Sequence, residues 1–241
     1  MRFIHIADIH ANKDRYPLIN KAFDKLISFS KEENVDAVLI AGDFWDSSIT
    51  NTEASHFVDY IKLFKNLLKV TNVVMIYGTP SHDAAGSLEI FKSLKSDNLC
   101  YVSSYSPKYE KVKINKKEIE LITIPEPRLS MISGDTLEEK YRKIQKSYDI
   151  TVPERQEELP RICMFHGDVA GMKLQNDAVI SEGNSSITVN KLKSYNADYY
   201  ALGHIHKPQE LPGLNGGYSG SLVPKDFGEA HDACFWEFEV W

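Results

Sequence analysis

Cysteine is scarce in this 241-residue chain. Cys100, Cys163 and Cys234 are an odd number with no paired spacing. That excludes a disulfide framework and fits reduced thiols in a cytoplasmic protein. No apolar run approaches membrane-spanning length, and Met1-Arg2 leads straight into strand-like sequence with no signal-peptide pattern. A soluble chain with no membrane partner is expected. Positive charge is also short: 28 Lys and Arg stand against 34 Asp and Glu, a net charge of −6. Bulk electrostatic capture of nucleic acid is therefore disfavoured. The objection is partial, because carboxylates that hold metal ions can end up in a positive site. There is no internal repeat of 20–50 residues and no low-complexity tract. The length suits one domain over residues 1–241, large enough to bury roughly 70–75% of its unfolded surface without staples.

What is present is an alternation of short apolar runs and amphipathic stretches. Residues 2–7 are β-rich and end at Asp8. Leu18, Ala22, Leu26 and Phe29 recur at helical spacing within 17–33. Residues 37–41 are continuously apolar, as in a strand covered on both faces. Residues 52–69 read as a second helix and 73–77 as a third buried strand. This β-α-β-α-β order predicts right-handed crossovers and a mainly parallel sheet, with the chemistry at the carboxyl ends of its strands. A short helix at 88–94 and a strand at 99–102 follow. Residues 111–114 and 118–124 form a hairpin around Asn115-Lys116-Lys117. A polar helix at 134–148, a charged connector at 151–160, a strand at 161–165, a helix at 186–195 and a strand at 198–202 come next. Glycines in 218–222 turn toward a last alternating strand, 234–241. The second half is expected to be richer in antiparallel strands, giving two mixed sheets packed face to face with helices outside.

Five of these strand-like runs lead to a carboxylate or an imidazole. In Gly203-His204-Ile205-His206 two histidines at i, i+2 point the same way from a strand end. Four earlier runs match it: Asp8-Ile9-His10, Gly42-Asp43-Phe44-Trp45-Asp46, Ser81-His82-Asp83 and Phe165-His166-Gly167. Taken singly, these are loop caps, turns and, for Phe44-Trp45, a core aromatic pair; lysines 111, 113, 116 and 117 are a solvated hairpin edge. Taken together they collect Asp8, His10, Asp43, His82, His166, His204 and His206, which include five of the eight histidines. His5, His56 and His231 stand apart as ordinary surface or core residues. Mixed Asp and His donors suit Mn²⁺, Fe²⁺ or Zn²⁺ better than Ca²⁺. Seven candidates exceed the three protein ligands of a typical mononuclear catalytic site. They suffice for two ions, with Asp43 as the natural bridge. Two ions about 3.5–4 Å apart clamp a phosphate and generate a hydroxide between them, which is machinery for phosphoester hydrolysis.

These runs, in this order across residues 8–206, resemble the five motifs of the calcineurin-like metallophosphoesterases. Within that superfamily the chain is most similar to the nuclease subunit of the bacterial SbcCD-type DNA exonucleases. Tyr218-Ser219-Gly220-Ser221, Pro224 and Asp226-Phe227-Gly228-Glu229 carry the narrower likeness. The resemblance implies an α/β fold, a four-layer αββα sandwich. It implies that Asp8, His10 and His206 hold the first metal, His166 and His204 the second, and that Asp43 bridges. His82 would contact the scissile phosphate while hydroxide attacks. Asp83 would orient His82 by accepting its other ring N–H, and Asp46 would support the site from outside or cap a loop.

The family's usual loop reads Gly-Asn-His-Asp. Here Gly78-Thr79-Pro80 precedes Ser81-His82-Asp83, which puts Ser81 at the position of the Asn ligand and predicts a weak second metal site. Two divalent ions are implied, Mn²⁺ first, with Fe²⁺, Zn²⁺ and Mg²⁺ as alternatives. The implied partners are duplex DNA ends and single strands, a coiled-coil ATPase like SbcC, and a second copy of the chain. No capping domain or partner-binding segment follows before Trp241, so stable capture of the ATPase is not expected. Two other readings stay open. One is a phosphodiesterase or phosphatase for nucleotides and small phosphoesters using the same site. The other is a non-catalytic phosphoesterase-like scaffold that binds DNA or organises an assembly.

Overall fold

Alternation of side chains sorts this protein into layers. The computed structural model describes residues 1–48, 55–155, 159–225, 228–229 and 235–241. In chain order the first half forms β1 (Arg2–Ile6), α1 (Tyr16–Glu32), β2 (Ala37–Ala41), α2 (Ser55–Leu68), β3 (Asn72–Ile76), α3 (Glu89–Lys92) and β4 (Cys100–Val102). The second half forms β5 (Lys108–Ile114), β6 (Lys117–Ile124), α4 (Leu137–Ser147), β7 (Arg161–His166), α5 (Val189–Ser194), β8 (Tyr199–Gly203), β9 (Gln209–Glu210), β10 (Gly216–Tyr218) and β11 (Trp236–Glu239). One sheet has the order β11-β1-β2-β3-β4, the other β5-β6-β7-β8-β10-β9.

On β2, Val38 and Ile40 join the cluster built with Ile19, Phe23 and Leu26 of α1 and Tyr60 and Phe64 of α2. Ala37, Leu39 and Ala41 face the other way and pack with Leu121, Ile162, Met164 and Ala201 of the second sheet. On the far side Cys163, Phe165, Tyr200 and Leu202 pack under Ile144 and Tyr148 near α4 and Leu192 of α5. The period of two thus produces helices, sheet, sheet, helices, the expected αββα sandwich.

β1, β2, β3 and β4 pair in parallel, as the crossover order predicts. The antiparallel pairs all involve strands of the second half, as expected. The centre of the second sheet, β6-β7-β8-β10, is parallel, and antiparallel pairing is confined to β5–β6 and β9–β10 at its edges. β11 returns to the first sheet, antiparallel to β1. The hairpin turn is two residues, Asn115 and Lys116, both at positive φ (50° and 67°). That is the twist a tight hairpin needs, and it leaves Lys117 in the strand opposite Ile114. The expected starts of the second helix at 52 and of the last strand at 234 lie outside the described residues. Among the described residues no helix is long and apolar enough to cross a membrane.

Candidate metal centre

The loops that leave β1, β2, β3, β6, β7 and β8 meet at one edge of the sandwich. Those after β1 and β2 are tied by three backbone bonds: Asp8 N to Gly42 O at 3.1 Å, His10 N to Asp43 O at 3.0 Å, and Ala11 N to Phe44 O at 2.8 Å. Asp8, His10 and Asp43 adopt left-handed backbone (φ 51°, 48° and 50°), and His204 sits at φ 102°. Four non-glycine residues in this sparsely populated region at one point mark a site where surrounding structure enforces geometry.

The structure gathers the candidates into two clusters that share Asp43. In the first, ligand atoms of Asp8, His10 and His206 lie within 4.8 Å of one another. His10 Nε2 and His206 Nε2 are 2.9 Å apart. His206 donates its Nδ1–H to Glu229 at 2.5 Å, which leaves Nε2 as the lone-pair nitrogen facing the cluster. Glu229 is buried, and it also accepts from the Ser221 hydroxyl at 2.6 Å and the Lys225 amide at 2.8 Å. A carboxylate behind a ligating histidine fixes its tautomer and raises its basicity.

In the second cluster, ligand atoms of Glu126, His166 and His204 lie within 4.8 Å of one another, and so do those of Asp8, Asp43 and His166. His166 donates Nδ1–H to Ala41 O at 2.6 Å and presents Nε2 to Asp43 Oδ1 at 3.3 Å. The other Asp43 oxygen, Oδ2, faces His10 Nε2 at 3.9 Å. One carboxylate therefore addresses both clusters, as expected of a bridge.

The expectation for Ser81 does not hold in this geometry. Ser81 is exposed, and its carbonyl accepts from Ser48 N at 2.7 Å. Thr79, directly after Gly78, occupies the inner position, and Pro80-Ser81 is an outward two-residue extension closed by His82 N and Asp83 N on Thr79 O, both at 2.9 Å. The Thr79 hydroxyl lies 3.1 Å from Asp43 Oδ2, 2.8 Å from Glu126 Oε2, 3.3 Å from His166 Nε2 and 3.4 Å from His204 Nδ1.

Asp83 also departs from expectation. Its carboxylate accepts from the amides of Phe44, Trp45 and Gly78 at 3.3, 3.1 and 2.9 Å, so it pins the loop after β2 to the loop after β3. His82 is oriented instead by the backbone carbonyl of Asp46, which accepts its Nδ1–H at 2.7 Å and leaves Nε2 turned inward, 4.0 Å from Asp43 Oδ2. Asp46 supports the rim: it accepts from Asn12 at 3.0 Å and lies 3.5 Å from the Lys225 ammonium. Phe44 and Trp45 are core aromatics: Phe44 meets Tyr60, Phe64 and Phe91 edge to face, and Trp45 meets Tyr60 edge to face and stacks on Phe91. His5 is buried in the core, away from these clusters.

The donor set fits two divalent cations. His10 Nδ1 and Asp46 Oδ1, 3.6 Å apart, are buried without a hydrogen-bond partner among the described residues. The single proton of the Thr79 hydroxyl cannot serve all four of its neighbours, so the acceptor atoms of the second cluster converge on a point where positive charge is favoured. Burial opposes charge on Asp43, yet the imidazoles of His166, His10 and His82 hold its carboxyl below the usual range. Burial likewise opposes an imidazolium at His166, but Asp43, Asp8 and Glu126 outweigh it and push it up to about 10. Burial pushes His10 down to about 2, keeping it in the neutral form that ligates. The centre of the pocket stabilises positive charge, which is what a divalent cation exploits. Asp8, His10, Asp43 and His166 form its buried floor, while His82, His204 and His206 are partly exposed at the mouth.

Thr79, Glu126 and Glu229 are functional candidates that the motif spacing does not mark. Glu126 does carry the signal used for the others: it stands just past a strand, in Ile124-Pro125-Glu126. Glu229 lies 23 residues after His206, and its contact with that imidazole is a tertiary fact that no local spacing records.

Solved structures of similar shape include GAP50, the anchor in the inner membrane complex of Plasmodium, at TM-score 0.51 and 12% identity over 91% of this chain and 71% of that one. A dimetal phosphatase from Danio rerio aligns at TM-score 0.47 and 10% identity, over 92% of this chain and 88% of its own. At 12% identity the first likeness speaks of the fold alone. The family model for calcineurin-like phosphoesterases matches residues 1–208, most of the sandwich and every strand-end run gathered above, and the chain belongs to that family.

Proposed function

We propose that this calcineurin-like phosphoesterase is a two-metal phosphodiesterase that cleaves DNA, in the manner of SbcD-type nucleases. The observation that carries the two-metal chemistry is Asp43, whose two oxygens face His166 on one side and His10 on the other. Asp8, His10 and His206 would hold one ion, His166 and His204 the other, with Asp43 shared. When bound, the pair supplies Lewis-acid charge for phosphate oxygens and lowers the pKa of water.

The chain's own residues set the rest. Ala41 O and Glu229 hold His166 and His206 with Nε2 turned inward. Asp83 fixes the two loops on which Asp43 and His82 stand. His82 reaches the mouth with Nε2 free of its backbone tether, so this nitrogen meets the phosphate and can carry the proton that the leaving oxygen needs. DNA as the substrate rests on the tail resemblance. Partnership with a coiled-coil ATPase and homodimerisation belong to the same reading. Hydrolysis of nucleotides or small phosphoesters is the second reading, favoured by the net charge of −6.

The test uses linear duplex DNA labelled at the 3′ or the 5′ end, incubated with Mn²⁺ or with chelator, alongside His82→Ala and Asp43→Ala proteins. Metal-dependent loss of label, abolished by both substitutions, is the expected result, and the label lost first gives the polarity. Intact DNA together with cleavage of a small aryl phosphodiester would keep the chemistry and remove DNA. Inertness toward both substrates would leave the scaffold reading.

A further inference from the structure

The second cluster holds a carboxylate that the five strand-end runs do not account for. Glu126 leaves β6 after Pro125 and turns its side chain toward Thr79, His166 and His204. Its Oε2 lies 2.8 Å from Thr79 Oγ1, 3.4 Å from His204 Nδ1 and 3.9 Å from His166 Nε2. Among the described residues its only ionic partners within 4.0 Å are those two histidines. This half-buried carboxylate has no lysine or arginine beside it, and together with the two imidazoles it forms a ready seat for a cation. Three independent strands deliver Glu126, His166 and His204 to one point, and Asp43 adds an oxygen 3.3 Å from His166 Nε2.

Thr79 explains why a further donor is needed. It stands at the inner end of the loop after β3, in the place that Ser81, aligned with the family's amide ligand, does not reach. A hydroxyl has a shorter reach and is a weaker donor to a metal than an amide carbonyl. Here it lies within hydrogen-bond distance of both Asp43 and Glu126. We propose that Glu126 is a direct ligand of the second metal ion, and that Thr79 is a positioning residue that holds the Glu126 carboxylate toward it. The inference rests on the two-metal reading above. It reverses the expectation of a weak second site. Asp43 and Glu126 give that ion two carboxylates, a harder and more anionic set than a neutral amide provides, and one suited to Mn²⁺.

The test titrates Mn²⁺ into the metal-free full chain by calorimetry and reads the visible spectrum of the Co²⁺-loaded protein. Wild type and Ser81→Ala bind two ions with matching affinities. Glu126→Gln, which keeps the side-chain shape, and Glu126→Ala keep one ion within about twofold and weaken the other by at least about tenfold. The Co²⁺ spectrum of the Glu126→Gln protein loses the contribution of one site. Thr79→Ala weakens the same site and not the other. Circular dichroism in chelator confirms that each variant is folded, and Glu126→Gln decides the matter if the alanine variant is not. Two wild-type affinities in Glu126→Gln overturn the assignment while the two-metal reading stands. Loss of both ions in that variant also overturns it, since Glu126 would then not belong to one site. Wild-type protein taking up fewer than two ions fails the two-metal reading itself, and the assignment falls with it.

Discussion

Two glycines set the positions of Asp43, the carboxylate between the two clusters, and of its nearest imidazole. A Cβ on Gly78 would stand 2.1 Å from Asp43 Oδ1 and 2.2 Å from Asp43 N. A Cβ on Gly42 would stand 2.2 Å from His166 Nδ1, at a backbone φ of 91°. Neither neighbour is the loose end of a flexible chain, because Asp43 and His166 are buried and hydrogen-bonded. Gly78→Ala must therefore displace Asp43, and a displacement of about 1 Å at a reacting centre costs on the order of 100-fold in rate. Metal-dependent hydrolysis of an aryl phosphodiester should fall by about that factor, with Ser81→Ala at wild-type rate beside it. Equal rates for Gly78→Ala and wild type would mean that the loop yields and that Asp43 is not fixed by it. At this scale the sequence is largely legible. Asp8, His10, Asp43, His166, His204 and His206 converge because strand ends in a parallel sheet share one edge. The roles of Ser81 and Asp83 are not legible, because aligning the motif on His82 hides the Pro80-Ser81 extension, and because the partner of a ring N–H is settled by loop packing. Which of Asp83 and the Asp46 carbonyl reaches His82 is not written in spacing.

Among the elements, β6 and β7 carry the site at one end and a buried ion pair at the other. Glu120 and Arg161 are direct cross-strand neighbours with almost no exposure, joined at 2.6 Å. Arg161 also donates to Tyr195 O at 3.1 Å and Pro153 O at 3.0 Å, and Glu120 accepts from the Tyr109 hydroxyl at 2.7 Å. Every partner is satisfied, so the network ties β5, β6, β7 and the connector before β7. Removing one partner from such a pair strands a buried charge and typically costs about 3–5 kcal/mol, whereas replacing both by apolar groups is often near neutral. Glu120→Ala should lower urea stability by about that amount, and Glu120→Leu with Arg161→Met should recover most of it. A double variant as unstable as the single would show that the pair supplies net stability. Elements are legible where the signal is local: the period-two runs of β2, β3 and β7 and the helical spacing of α1. The pairing of β11 with β1, and the parallel centre of the second sheet, are not. Edge pairing and strand order depend on contacts between segments far apart in sequence, and no local pattern records them.

At the scale of the whole molecule the candidate metal centre is a joint between two sheets. Asp8, His10 and Asp43 leave the first sheet; Glu126, His166, His204 and His206 leave the second. Whatever sets one sheet against the other sets the site. Small side chains, Ala7, Ala37, Ala41 and Ala201, line the packed layer between the sheets. A polar residue crosses that layer. His5 on β1, fully buried and three residues before Asp8, donates Nε2–H to Leu202 O at 3.1 Å and faces the Tyr199 hydroxyl with Nδ1 at 3.3 Å. Both partners lie on β8, the strand that delivers His204. Burial pushes the His5 pKa down from 6.5 to about 3, so the ring stays neutral in the folded protein. In the unfolded chain it takes up a proton below about pH 6.5. Between those values the unfolded state binds more protons, so stability falls as pH falls, by at most about 1.4 kcal/mol per pH unit from this group. His5→Gln keeps a side chain able to hydrogen-bond and removes the titration. Urea melts of metal-free protein from pH 7 to pH 4 should therefore show a shallower acid slope for His5→Gln than for wild type. Identical slopes would place the acid sensitivity in the carboxylates and imidazoles of the centre itself, and His5 would then be a tie between the sheets that acid does not loosen.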